Sequence, residues 1–409
     1  MNTKFPNHAK YRNWALAPLI GAAGLVSSIA SASTEPPSVY DARSVGMGGT
    51  GGAYLENGAS VYHNPAALDG IAKGAFTLVL SPTSTVIHSP VAGPNTSVKS
   101  DASTFPLFLL GGAYRVSDRV VVGLAAYPTA GFGSGYSNVA AFGGQDLKFA
   151  IVAMEAAPAA SFKITDRLSL GLAWRITYVH QSASQPLPPP TGGALEQALD
   201  GTSFVGANLG AYYRPSDDLH LALTYRSKVT AKLKGKTTIG GTDFDTSGDF
   251  AAAPHTFKAA AAGWLLQRRV MLAIDVKYLL FKEANEEIAL TTDTPAGPQT
   301  ATIPLHWRNV LAVNAGVEVA IDGPYAVRAG YTISQSATPS ESAAYFTPPP
   351  GILQAIHLGA GARYEHWDID LGGAYAFGSS TATPADARTN AGKFRFTTIM
   401  GSVSLTYRM

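Results

Sequence analysis

The chain has 409 residues, room for two or three ordinary domains, but only 14% are charged and 42 are glycine. A net charge of +2 gives no pull toward nucleic acid, and the absence of cysteine means disulfides cannot hold the fold together. No segment beyond the N-terminus offers 18 uninterrupted apolar residues, so a bundle of membrane-spanning helices is excluded.

The first residues read as an export signal. Lys4, Lys10 and Arg12 precede an apolar run from Trp14 to Val26, and Ala30-Ser31-Ala32 offers a small-x-small cleavage site. Residues 1–32 are therefore expected to be a cleaved signal peptide.

A glycine-rich stretch follows, SVGMGGTGGAYLENGASVYHNPAAL, from Ser44 to Leu68. Gly46-Met47-Gly48-Gly49-Thr50-Gly51 superficially suggests a phosphate cradle. That reading needs a preceding buried strand, a helix opened by the glycines and a βαβ unit, and nothing in this chain supplies parallel βαβ architecture.

From about residue 74 the pattern becomes strands of period two. In LSLGLAWRITYVH, Leu168, Leu170, Leu172, Trp174, Ile176 and Tyr178 share one face, and Ser169, Gly171, Ala173, Arg175 and Thr177 the other. The alternation outlasts an ordinary strand and reaches the length a tilted membrane strand needs. It recurs in HLALTYRSKV, RVMLAIDVKYLL and WDIDLGGAYAF, whose aliphatic and aromatic faces must point to lipid and whose small or charged faces must point to a lumen.

Short polar turns at 116–119, 164–167, 215–218, 266–269, 321–324 and 365–367 alternate with long segments rich in Pro, Gly, Ser and Thr. The segments at 182–201, 230–250 and 284–307 are read as external loops, with 192–201 as a short amphipathic helix or exposed loop. The strands between number about fourteen, an even number as a single-chain bacterial barrel requires. The expected fold is all-β: a 14-stranded antiparallel transmembrane β-barrel over 74–409. A barrel of that size is not filled by its own side chains, so residues 33–73 are read as a hatch, or plug, inside the lumen.

These residues resemble a family. Gly46, Gly48, Gly51, Ala59 and Asn64-Pro65-Ala66 look like the hatch of the FadL/TodX outer-membrane transporters of long-chain fatty acids and hydrocarbons. Pro158 to Ile164 running into Asp166 to Gly171, then Thr224 to Val229, Pro254, Trp307-Arg308-Asn309 and Arg328 to Tyr331, continue the likeness in the same order. The resemblance covers essentially the whole mature chain and implies a fourteen-strand barrel with the hatch in its lumen.

Asn64, Pro65 and Ala66, with Gly46 and Gly48, are candidates for anchoring the hatch as a turn or for taking part in gating. Arg175, Arg226, Lys228, Lys277 and Arg328 fall on inward register. They pair with acids or pin the hatch on one reading, and hold a carboxylate headgroup on the other. In the third strand Pro128 removes a ladder donor, and Gly131 and Gly133 permit a bend. That is a loop start on one reading; on the other, as the resemblance implies, it is a kink that opens a lateral exit into the membrane.

Enzyme motifs, metal-ligand spacings and cofactor fingerprints do not appear in the sequence. The leading expectation is passive uptake of a hydrophobic small molecule, a long-chain fatty acid before a hydrocarbon, by a monomer embedded in bacterial outer-membrane lipid. The rival readings are a general diffusion porin and a hatch-bearing scaffold for protein secretion.

Overall fold

Aliphatic residues at every second position set the wall. Along Leu168–Trp174 the leucines and the tryptophan are exposed to partly exposed, whereas Ser169, Gly171 and Ala173 are buried. In a computed structural model that describes residues 41–187, 193–284, 286–344, 347–383 and 390–409, this pattern closes into a barrel. The expected signal peptide and residues 33–40 lie outside the described residues.

Fourteen antiparallel strands make the wall. They are β1 (Gly74–Ser89), β2 (Ser103–Ser117), β3 (Val120–Val139), β4 (Gln145–Lys163), β5 (Leu168–Trp174 and Ile176–Pro186), β6 (Ala194–Ser203 and Ala207–Ser216) and β7 (Leu219–Arg226 and Val229–Ile239). Next come β8 (Thr242–Ala253 and Thr256–Leu265), β9 (Val270–Leu279 and Glu287–Thr294) and β10 (Gly297–Pro304 and Val310–Ala320). The last four are β11 (Tyr325–Gln335), β12 (Ile352–Arg363), β13 (Trp367–Ala382) and β14 (Gly392–Arg408). Pairing of β14 with β1, from Arg408 opposite Ala75 to Arg395 opposite His88, closes the cylinder and removes its edges.

Six adjacent strands, β5 to β10, are each interrupted once, and the breaks lie side by side. Arg175 N–H donates to Gly206 O at 2.9 Å, Ser227 N–H to Ala207 O at 2.9 Å, and Leu280 N–H to His255 O at 2.9 Å. A short helix, Phe281–Ala284, fills the break in β9. Across this belt the polarity of the wall inverts. Below it, aliphatic side chains point out and small or charged ones point in. Above it, Lys232, Lys234 and Lys236 point out, while Ala231 and Leu233 are buried. Hydrocarbon would not tolerate that lysine face, so the upper segments stand clear of the bilayer.

The segments read from sequence as loops are thus mostly strand. Residues 194–203 are part of β6, not an amphipathic helix, and Leu195 and Leu199 are fully buried on its inner face.

Residues 41–71 contain no exposed side chain and lie within the short-turn half of the cylinder. Helix α1 (Ala42–Gly46) packs on β11 to β14, and the 3₁₀ turn Pro65–Gly70 packs on β3 to β6, so this segment touches opposite walls. Asp41 caps α1 by accepting from Ser44 N–H at 3.1 Å. A second short helix, Ser60–His63, leads into Asn64, whose side chain caps the 3₁₀ turn.

Candidate functional site

Close backbone approach seats the inner segment. Gly316 and Gly330 on β10 and β11 face Met47 and Gly48. A Cβ at Gly46 would lie 2.9 Å from Gly359 Cα on β12. Gly48, at φ +73°, turns the chain so that its carbonyl accepts from Asn314 Nδ2 at 2.6 Å and Thr332 Oγ1 at 2.7 Å. His357 Nδ1 contacts Val45 O at 2.8 Å.

Asn64-Pro65-Ala66 docks on two further wall glycines. Gly171 of β5 faces Pro65 and Ala66, and Gly210 of β6 faces the Asn64 amide. Asn64 Oδ1 accepts from Ala66 N–H at 3.1 Å, its Nδ2 donates to Gly52 O at 3.1 Å, and Ser161 Oγ donates to Ala66 O at 2.9 Å. Asp69 then meets Arg214 at 2.8 Å, Arg115 at 3.4 Å and the Ser169 hydroxyl at 2.7 Å. Every candidate hatch residue from the sequence therefore sits in a contact between segment and wall.

The five candidate cations divide by height. Arg328 lies near the short-turn end, where Nε is 2.6 Å from Glu318 Oε2 and Nη1 2.7 Å from Asp370 Oδ1. The same Glu318 holds Arg43 of α1, so Arg328 belongs to the seat of the inner segment and not to the upper lumen. Arg175, Arg226 and Lys277 come together at the belt, above the inner segment. Arg175 is fully buried in the β5 break, 2.8 Å from Glu155 Oε2. Arg226 meets the other oxygen of Glu155 at 3.0 Å and lies over the Tyr62 ring at 4.4 Å. Tyr127 also donates to Glu155. Lys277 stands opposite Lys258 across the β8–β9 ladder, both on the inner face. Lys258 Nζ donates to His63 O at 2.7 Å and lies 3.7 Å from Asp275. Lys228 sits at the belt, partly exposed, and donates to Glu283 O at 3.3 Å.

Four cations (Arg175, Arg226, Lys258, Lys277) against two acids (Glu155, Asp275) give this floor a formal excess of two positive charges. Their proximity, together with burial, holds His63 in its neutral form: burial is the larger influence, and Lys258, Lys277 and Arg226 add to it.

Directly above lies an apolar cluster of buried inner side chains. Phe149, Ile151 and Ala153 precede Glu155 on the inner face of β4, Leu279 and Phe281 follow Lys277, and Ala231 and Leu233 follow Arg226. Leu195, Leu199, Ile288, Ile303 and Trp307 extend the same cluster. The arrangement is an apolar inner cluster over a cationic base.

Pro128, Gly131 and Gly133 lie within β3, which stays a strand and remains paired with β4 along its length, with register shifts between Pro128 and Ala130 and between Tyr136 and Val139. The change is on the other side. The β2–β3 ladder ends at Leu110 opposite Ala126. Higher up, Ser103 Oγ donates to Gly133 O at 2.6 Å, Asp101 N–H to Gly135 O at 2.8 Å and Ser137 Oγ to Asp101 Oδ2 at 2.8 Å, with no further ladder pairing between the two edges among the described residues. Between those points the wall has a seam.

Glu155, Lys258 and the apolar cluster as a unit were missed in the sequence. Glu155 had a readable signal, a lone acid inside the apolar run AIVAMEAAPAA. The apolar cluster was half visible: Ile151, Ala153 and Leu279 lie in stretches that read as strands, whereas Leu195, Leu199, Leu233, Ile288 and Ile303 lie in segments whose composition reads as loop.

The matched family model, described as outer membrane protein transport protein (OMPP1/FadL/TodX), spans residues 23–407. The chain belongs to this family of outer-membrane transporters. It is similar in structure to a Pseudomonas aeruginosa FadL homologue, with a TM-score of 0.77 at 18% identity over 94% of this chain and 99% of that one. The Pseudomonas putida toluene transporter TodX gives 0.72 at 18% identity over 91% and 99%. The Ralstonia pickettii toluene transporter TbuX gives 0.71 at 15% identity over 92% and 100%. At such identities the likeness concerns the fold. No match was found among curated proteins.

Proposed function

We propose that this outer-membrane transporter takes up long-chain fatty acids by passive diffusion. One observation carries the reading: an apolar inner cluster, which on this reading opens as the ligand chamber, rests on a floor rich in cations. An alkyl tail gains about 0.8 kcal/mol per CH₂ buried in the chamber, and a carboxylate is attracted to a floor where Lys258 and Lys277 stand opposite one another beside Arg226 and Arg175. A hydrocarbon gains the first term and not the second. Toluene transporters share the fold, so the floor charge is what separates the two substrate classes here.

The inner segment 41–73 acts as a hatch on this reading, with Asn64-Pro65-Ala66 and Gly46 to Gly48 as its hinges on the wall. A carboxylate at the floor competes for Lys258, which otherwise holds His63 O. The released tail then leaves through the β2–β3 seam into the outer leaflet, avoiding water.

The test is competition between oleate and toluene for the purified barrel, in the natural chain and in a Lys258→Met/Lys277→Met variant. Oleate should bind more tightly to the natural chain and lose about tenfold or more in the variant, with toluene unchanged. Tighter toluene binding, insensitive to the variant, would replace the fatty-acid reading with a hydrocarbon one. Steady ion conductance of the intact barrel would favour a diffusion porin.

A further inference from the structure

In the apolar cluster and beside it two buried polar atoms lack a protein partner among the described residues: the Trp307 indole Nε1, within the cluster, and the hydroxyl of Thr338, next to its member Ala337. Trp307 is 3% exposed and Thr338 fully buried. Trp307 lies in the break of β10, edge-on to Phe281 with ring centroids 5.8 Å apart. The two residues sit on adjoining segments, because Arg308 N–H donates to Ala337 O at 3.0 Å and Arg308 Nε to Ser336 O at 3.0 Å. Trp307 and Ala337 line the same apolar cluster.

A buried donor without an acceptor is unfavourable, and an indole N–H can only donate. Packing alone would be served as well by phenylalanine, which has no such donor. We propose that Trp307 and Thr338 form a polar subsite of the chamber that takes an oxygen acceptor on an otherwise apolar molecule, such as an ester, ketone or carboxylate oxygen. The subsite rests on the chamber being the substrate pathway, and it sharpens the substrate class: an oxygenated chain satisfies the indole N–H, whereas an alkene or alkane of equal length leaves it unpaired and is selected against. It is separate from the cationic floor, since a neutral acceptor suffices.

Methyl oleate and 1-octadecene distinguish these claims, because neither carries charge and only the ester has an acceptor. In the purified full-length barrel, Trp307→Phe should weaken methyl oleate binding about fivefold and leave 1-octadecene unchanged, and Thr338→Val should shift them in the same direction. Equal weakening of both ligands, or of neither, overturns the subsite while leaving the transport reading intact. Failure of oleate, methyl oleate and 1-octadecene alike to bind the natural chain overturns both. Should Trp307→Phe not fold, the indole N–H resonance of the natural barrel in micelles gives the answer. Methyl oleate should move one indole signal downfield and 1-octadecene should not, and no shift with either overturns the subsite.

Discussion

Glu318 grips Arg43 with both carboxylate oxygens, at 2.6 and 2.7 Å, and joins the first helix of the inner segment to strand β10 across 275 residues of sequence. Glu318 Oε2 also accepts from Arg328 at 2.6 Å, so one acid serves two buried guanidinium groups. Removing one partner of a buried ion pair is far more costly than the pair's net contribution, because the remaining charge stays desolvated.

Glu318→Gln should therefore unseat the N-terminal half of the hatch while leaving the closed ladder intact. The expected cost is on the order of 3–5 kcal/mol to hatch docking. Single-channel recording should show ion leak in the variant, and limited proteolysis should cut within 41–60 before any strand. A sealed, protease-resistant variant would mean that glycine contacts hold the segment without this pair.

Wall glycines make a second, sharper test. A Cβ at Gly171 would overlap the Pro65–Ala66 peptide, and one at Gly210 would overlap the Asn64 amide, whereas a Cβ at Gly401 on β14 meets nothing within 4 Å. Gly171→Ala and Gly210→Ala should each lower the unfolding midpoint by a loss of about 1–3 kcal/mol and raise conductance. Gly401→Ala should do neither. Equal effects at all three positions would mean that the glycines serve the strands and not the hatch.

Acidity should tighten the hatch. Asp41 sits inside the barrel but outside its spanning strands, and its pKa is pushed up to about 6, by burial first and by Asp370 second, against hydrogen bonds from Asn57 and Ser44 and the charge of Arg43. The folded state then holds a proton that the unfolded chain releases at its ordinary aspartate value. This contribution is fully present below about 4 and is lost as pH rises through about 6. Hatch protection in amide exchange should increase between pH 7 and pH 4.5, and Asp41→Asn should flatten that dependence. A natural chain with no change across the window contradicts the assignment.

The sequence disclosed the part of this fold that lipid dictates. Leu170, Leu172 and Trp174 had to face outward, so their alternation was visible and the strand count followed. Arg226 and Lys277 were visible as inward charges for the same reason. Above the belt that constraint disappears: Lys232, Leu233 and Lys234 form a strand with reversed polarity among glycines and threonines, and resemble a loop. Arg328 matched Arg226 in register, yet their heights differ: Arg328 meets the first helix of the inner segment through Glu318, whereas Arg226 lies over Tyr62 at the top of that segment, under the apolar cluster. Lys258 was hidden because its partners, His63 and Asp275, come from distant parts of the chain.

The seam gives the last prediction. Over residues 103–109 of β2 only β1 is paired, and β3 from Tyr127 onward pairs only with β4, so the two edges can separate without breaking a ladder. A Cβ at Gly133 would lie 3.6 Å from Ser103 Oγ, a spacing compatible with a disulfide between residues placed there. The chain contains no cysteine, so a Ser103→Cys/Gly133→Cys double variant adds the one available pair. Oxidised, it should retain ligand binding in the chamber but lose most oleate uptake into cells, and a reductant should restore uptake. Equal uptake in both redox states would exclude the seam as the exit and direct attention to a path beside the hatch.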